Sequence, residues 1–450
     1  MSEIERRSGA GGNAATGGPA AGPDAAGARA TGSRGAGGPV AGVRGAGIGG
    51  VAVGVSGWYV VTRIVLLAAL VLTVIADLDG RGLPISAGGV AEGTWAALTS
   101  WDARWMVDIA ERGYFGLGIV DGDPGHWRSL AFFPLMPMAM KALAAVTAMP
   151  AAWAGAVISV LAGWAFALAA AALAGRMGMG RRGRVVASVL VTTAPMSVVM
   201  LMAYTEALFL ALAAWGLVAV VDKRWAWAAG LFLLAGLTRT TALGLFIVLV
   251  VAVVAGDRRN PRAWVAAAVA PVGWVAYLVW SSARLSGAGG YFGAQARGWN
   301  SEVDGGVATV RWLWGSLGHS REAGYVVTSV LIIAVAATLA WAFVGWAAAR
   351  FVRRRASVDA NPAASIWPDR WGPCWPVLLF SCLAVGQVLV SDGLMHSRPR
   401  LFLSGALVLL VFAPVLAKLR PFDRAVVMAG WVLAGAWVGA YMVVPFAWAI

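Results

Sequence analysis

The chain has 450 residues, of which 60% are apolar and only 12% charged. A water-soluble fold of this length could not hide so much apolar surface, so an ordinary cytosolic enzyme is excluded and lipid becomes the solvent. The net charge is +14, with 35 Lys and Arg against 21 Asp and Glu. The basic residues sit in short clusters between long apolar runs, a membrane-orientation pattern rather than a phosphate-tracking surface, so nucleic acid is not expected as a partner.

Residues 1–57 are built mainly from Gly, Ala, Pro, Ser and Arg and lack the apolar periodicity that offsets the entropy of ordering a chain. They read as a disordered tail without a signal peptide, and their five Arg against three acids place it in the cytoplasm. A membrane-embedded domain then occupies 58–450. Apolar runs that reach, or nearly reach, the length of a hydrocarbon core of about 30 Å fall at 58–76, 151–175, 185–202, 206–221, 226–255, 263–282, 323–349, 375–391, 401–417 and 425–448.

Charge parity sorts these runs. The clusters Arg176/Arg181/Arg182/Arg184, Lys223/Arg224, Arg258/Arg259/Arg262, Arg350/Arg353/Arg354/Arg355 and Lys418/Arg420/Arg424 all belong inside. A crossing at 131–149 would strand the first cluster outside, so that run is expected on, or dipping into, the outer face. Pro134 and Pro137 break its first turns, and Lys141 disfavours mid-bilayer placement. The same parity splits 226–255 into two short helices bent at Thr238-Arg239-Thr240-Thr241. A re-entrant hairpin fits those short halves equally well. The expected fold is all-α and polytopic, with about eleven membrane helices, an outside C-terminus and a large first outer loop, 77–150. Further outer segments are 283–322 and 392–400. Between 77 and 130 eight acids face four Arg.

The outer loop holds the densest group of chemical side chains, Ser100-Trp101-Asp102-Ala103-Arg104-Trp105-Met106-Val107-Asp108-Ile109-Ala110-Glu111-Arg112-Gly113-Tyr114. Trp101, Trp105 and Ile109 repeat every four residues, so a short interfacial helix is predicted with Trp at the bilayer boundary. Asp102 in its first turn is placed to take a proton from an acceptor hydroxyl. Thr99 with Asp102 also fits a capping box, in which the acid only closes the helix start. Glu206, in Tyr204-Thr205-Glu206, is the sole acid between Asp123 and Asp222. It reads either as a functional intramembrane acid or as a boundary residue interacting with its helix N-terminus.

Arg239 and the stretch His396-Ser397-Arg398-Pro399-Arg400 put positive charge on the outer side. Guanidinium pairs well with phosphate, and the alternative is an interfacial anchor snorkelling to headgroups, the reading preferred for Arg398. Arg104, Arg239, His396, Arg398 and Arg400 form the candidate phosphate-contacting set. Trp299, Trp312 and Trp314 are candidates for stacking on a sugar, or belt residues. The Ala154–Gly175 and Ala213–Gly230 regions are rich in small residues suited to close helix contact. Two Cys make no disulfide framework, three scattered His make no His/Cys metal cluster, and no nucleotide fingerprint is present, so no nucleotide cofactor is expected.

Four blocks together resemble the PIG-V-type mannosyltransferases, relatives of GPI mannosyltransferase II within the GT-C class. They are Trp101-Asp102 through Gly113-Tyr114, Ala131-Phe132-Phe133-Pro134-Leu135-Met136-Pro137, Ala203-Tyr204-Thr205-Glu206-Ala207-Leu208-Phe209 and Leu237-Thr238-Arg239. They stand in the family's order over residues 60–255, and Arg398-Pro399-Arg400-Leu401-Phe402-Leu403 is similar to a late family stretch. Met106 departs from the family's aromatic residue, and the Gly/Ala tail is extra. The resemblance implies a membrane glycosyltransferase that takes a hexose, mannose by family likeness, from a polyprenyl-phosphate donor. Asp102 would be its base, Glu206 its second acid, and Arg239 and Arg400 donor-phosphate contacts. The acceptor would be a lipid, glycan or protein at the outer face of the cell membrane. A transporter or lipid flippase is the rival, because half-helices around Arg239 resemble the broken helices of secondary transporters.

Overall fold

Alanine, leucine and valine in long runs satisfy their backbone polar groups within the segment, and the computed structural model is helical almost throughout the residues it describes: 40–78, 89–116, 128–320, 322–355, 375–446 and 448. The chain divides into two units, 1–44 and 45–450. Residues 1–39 lie outside the described set, so the expected disorder of the tail is addressed only from 40 onward. There the expectation needs correction, because α1 (Val40–Leu78) already includes 40–57. Val51 and Val55, with Tyr59, pack against Ala167 and Ala171 and repay the ordering of this Gly-rich turn.

The segment 77–150, expected as the first outer loop, contributes α2 (Val90–Leu98), α3 (Asp102–Arg112) and α4 (Leu135–Thr147). At 13 residues α4 spans only about 20 Å, short of a bilayer core. It ends at Ala148 in the left-handed region. On α3 the buried positions are Ala103, Met106, Asp108, Ile109 and Ala110, a face rotated from the expected Trp101/Trp105/Ile109 stripe. Both tryptophans are half-buried, and Trp105 stacks on Phe132.

The bundle follows with α5 (Ala151–Arg176), α6 (Arg181–Thr192), α7 (Thr205–Val221), α8 (Trp225–Gly236) and α9 (Leu243–Gly256). It continues through α10 (Pro261–Val269), α11 (Val272–Arg284), α12 (Gly290–Trp299), α13 (Val307–His319) and α14 (Ala323–Arg355). The last helices are α15 (Trp375–Leu389), the single turn α16 (Arg398–Leu401), α17 (Ala413–Lys418) and α18 (Pro421–Val443).

Among the described residues, five helical segments are long and apolar enough to cross a membrane: Gly49–Asp77, Ala151–Arg176, Pro261–Arg284, Ala323–Ala348 and Pro421–Val443. Several of the other expected crossings are interrupted. The 226–255 run is bent between α8 and α9, with Arg239 at the bend, as its charge suggested. The 185–202 run breaks after Thr192 and resumes as a 3-10 turn, Ser197–Leu201. Within 401–417, Phe402–Val411 winds as a 3-10 helix, an unusually long run of that tighter form. Gly405 lies there against the Val385 side chain and the Ser381 carbonyl, a space that admits no Cβ.

Small residues in α5 and α7 permit the closest packing. A Cβ on Gly155 would overlap Ala203, one on Gly163 the Tyr59 hydroxyl, and one on Gly216 the Phe232 ring. The expected close contacts are therefore present in both small-residue regions, with exceptions such as Gly230, which has open space before it.

Candidate functional site

The site is assembled from helix ends and one bend. Asp102 begins α3, Glu206 is the second residue of α7, Arg239 sits at the α8/α9 bend, and Arg400 lies in the short α16. Asp102 and Arg400, 298 positions apart in sequence, are joined by an ion pair from Arg400 Nη1 to Asp102 Oδ2 at 2.5 Å. Glu206 Oε1 lies 2.5 Å from Arg239 Nη1 and 3.3 Å from Arg400 Nε. Two carboxylates and two guanidiniums thus form one charge-balanced chain, in which each charge offsets the desolvation of its neighbour.

Nearby groups fix this geometry. The Arg400 guanidinium lies over the Tyr204 ring, 5.0 Å from its centroid, and Arg239 Nη1 donates to Thr205 Oγ1 at 3.2 Å. Tyr204 Oη donates to the Ser100 carbonyl at 3.3 Å, joining the start of α7 to the turn before α3. Thr99 does not cap α3. Its hydroxyl donates backward to the carbonyl of Trp95, and the helix start has no side-chain cap. The capping-box reading is therefore corrected: Asp102 is engaged by Arg400 instead. Glu206 is 2% exposed, so the reading of it as a solvent-boundary residue is also overturned.

These four side chains line a cavity of about 850 Å³. All three expected outer segments contribute to it, through Ala131 and Phe132, through Gln295 and Trp299, and through Asp392 and Gly393. The Phe-Phe-Pro block is held over the cavity by hydroxyls. Tyr277 Oη lies within hydrogen-bond reach of the Leu130 and Phe132 carbonyls, at 3.0 and 2.6 Å. Tyr114 Oη donates to Phe132 O at 2.8 Å, and Tyr291 Oη to Ala131 O at 3.0 Å. Burial makes the Tyr114 and Tyr291 hydroxyls less acidic than an ordinary tyrosine, which keeps both protonated as donors. The Leu135 backbone N–H donates to Leu237 O at 2.9 Å, tying this block directly to Leu237-Thr238-Arg239.

The remaining candidates are placed differently. Arg398 is buried at the cavity wall, donating to Thr309 Oγ1 and to the Ser391 carbonyl, so it is not a snorkelling anchor. Arg104 is exposed on α3 and does not line the cavity. His396 packs against Phe446 and Trp448, also away from the lining, and burial lowers its basicity. Of the three loop tryptophans only Trp299 reaches the cavity. Trp312 packs on Tyr325, and Trp314 is 82% exposed. Asp304 receives the Ala308 backbone N–H and then that of Gly306, which hold its carboxyl below the usual range and order the turn before α13.

Tyr204 beneath Arg400, together with Gln295 and Asp392 in the lining, were not singled out by the sequence. Polar and aromatic residues in loops are common, and only Tyr204's adjacency to Glu206 gave a signal. Among the described residues no group of three or more His, Cys, Asp and Glu is arranged to hold a metal. In comparisons with known proteins, no family model, no curated protein and no solved structure matches the chain.

Proposed function

We propose that this protein is a GT-C-like glycosyltransferase of the PIG-V type. On this reading it transfers a hexose, mannose by resemblance, from a polyprenyl-phosphate donor to a hydroxyl of a lipid, glycan or protein acceptor at the outer face of the cell membrane. The observation that carries the reading is the convergence of Asp102, Glu206, Arg239 and Arg400 on one cavity lined by all three expected outer segments.

In the proposed reaction the acceptor oxygen attacks the anomeric carbon and its bond forms as the carbon–phosphate oxygen bond breaks. Asp102 accepts the hydroxyl proton, and polyprenyl phosphate leaves with the bonding electron pair. Arg400, with Arg239 beside it, stabilises the charge that develops on the leaving phosphate. Because Arg400 holds Asp102 in the free protein, an arriving phosphate competes for that guanidinium and releases the carboxylate for its role as base. A single displacement inverts the anomeric centre. Glu206 holds both guanidiniums in position.

The test is transfer of labelled mannose from polyprenyl-phosphate-mannose in membranes, comparing wild type with Asp102→Asn at equal abundance. The variant should lose about 10²-fold or more, the usual contribution of a general base. Full activity in Asp102→Asn would remove the base assignment. No transfer from any lipid-linked hexose, accompanied by vectorial movement of one, would favour the transporter, a reading supported by the helix break at Arg239.

A further inference from the structure

A second cavity, sharing no lining residue with the first, is an apolar groove of about 810 Å³ between α1, α6 and α18. On α18 its lining recurs as Arg424, Ala425, Met428, Ala429, Val432 and Leu433, one continuous helical face. On α6 it begins at Arg181 and Arg182 and continues through Val185 and Val189, while α1 adds Val61 and Val65. The helices run in the same direction. Gly54 lies beside Val185, Arg63 reaches the carbonyls of Thr192 and Ser197, and Trp431 Nε1 donates to Leu190 O at 3.0 Å. All three charged lining groups consequently gather at the end where α6 and α18 start, and the rest of the wall is aliphatic apart from Trp58 and Thr62.

That arrangement has polarity and a length. From Pro421 to Leu433 the wall rises about 18 Å at 1.5 Å per residue, close to one leaflet of a hydrocarbon core of about 30 Å. Arg181 and Arg182 are exposed, and neither they nor Arg424 has an ion-pair partner among the described residues. The Arg424 side chain makes one hydrogen bond, to the Leu419 carbonyl. The first turn of α6 carries no acid, and the one acid in the first turn of α18, Asp423, does not line the groove. Two helix N-termini add their own partial positive charge at the same end. A wholly apolar helix laid in the groove would leave three guanidiniums unpaired, whereas a lipid with a negative headgroup satisfies both the basic end and the apolar wall.

We propose that this groove is a binding site for an anionic glycerophospholipid of the bilayer, with its acyl chains along α6 and α18 and its phosphate at Arg181, Arg182 and Arg424. The chain passes through α6 and the Ser197–Leu201 turn before reaching Glu206, so this site lies at the other end of α6 from the cavity and holds a lipid distinct from any donor.

The test uses the full-length protein in mild detergent, offered dioleoyl phosphatidylglycerol or dioleoyl phosphatidylcholine and read by native mass spectrometry. Phosphatidylglycerol should be retained at one copy per chain in preference to phosphatidylcholine. The triple variant Arg181→Gln/Arg182→Gln/Arg424→Gln should bind it roughly a hundredfold more weakly, whereas Arg258→Gln/Arg259→Gln/Arg262→Gln, with the same loss of charge elsewhere, should retain it. Ala429→Trp keeps every charge, fills the groove from an exposed position and should also expel the lipid. Equal retention of the two lipids, equal weakening by both triple variants, or undiminished binding in Ala429→Trp would overturn the proposal. The tryptophan variant decides the matter even if the triple variant does not fold.

Discussion

Two guanidiniums share a single oxygen of Glu206, which is almost fully buried, while Asp102 at the other end of the chain of charges keeps 24% of its side-chain surface exposed. Removing Glu206 leaves two buried cations facing each other, so Glu206→Ala should cost about 3–5 kcal/mol of stability. Asp102→Asn removes an outer partner that water can replace and should cost about 1–2 kcal/mol. Thermal unfolding in detergent should therefore rank wild type above Asp102→Asn and Asp102→Asn well above Glu206→Ala. A Glu206→Ala melt equal to wild type would dissolve the shared-partner account. His396 gives a separate pH dependence. Its folded basicity is lowered by burial, so acidification through the ordinary histidine range near pH 6.5 protonates the unfolded chain first and weakens the fold. The stability deficit of wild type relative to His396→Phe should grow as pH falls from 7 to 5.5. A difference that is constant with pH would exclude this linkage.

At this scale the sequence was informative where the solvent was unusual. An ionisable residue inside an apolar run is conspicuous, which is why Glu206, Arg239 and Arg400 stood out, whereas Asp102 was drawn from the dense group of charged residues at 100–114. The same logic selected Arg104 and His396, which the structure places away from the cavity. Charge type is readable from a sequence, whereas the direction of a side chain depends on which face of its helix is packed.

At the scale of elements, the interruptions do the positioning. The Leu130–Phe132 carbonyls belong to no regular helix ladder beyond one turn, and the hydroxyls of Tyr114, Tyr277 and Tyr291 satisfy them. Tyr277→Phe strips Leu130 of that hydrogen bond and should cost about 1–3 kcal/mol, the penalty of an unmet buried acceptor. If the loop positions the proposed acceptor, this variant should also lose transfer activity at temperatures well below its melt. Unchanged stability and activity would deny the suspension a role. Helix contacts offer a second check. Gly216→Leu must push against Phe232 and should destabilise by about 1–3 kcal/mol, whereas Gly230→Ala enters open space and should be neutral or slightly stabilising. Equal melts for both glycine variants would contradict the packing described.

The bend at Arg239 was legible because charge parity required the chain to turn. The break after Thr192 had a local signal in Pro195, which the reading of 185–202 as one run passed over; the 3-10 winding over Phe402–Val411 had none, and it accompanies the close approach of Val385 to Gly405.

For the whole molecule, topology is the remaining quantity to measure. In a background with Cys374 and Cys382 replaced by serine, a cysteine at the exposed position 146, near the end of α4, should react with an impermeant maleimide in intact cells. A cysteine at position 180 should react only after permeabilisation. The reverse pattern would invert the proposed orientation and move the cavity to the other face.

Composition alone determined that this chain is a helical membrane-type protein, because apolar bulk and backbone hydrogen bonding leave few other solutions. Local spacing also marked most of the charged residues that matter. Only tertiary structure decided which of them meet. The Asp102–Arg400 pair closes across nearly 300 residues, and the anionic-lipid groove is built from three helices scattered along the chain. Such contacts depend on packing between distant segments, and no local pattern in a sequence encodes the register at which two helices come to rest against each other.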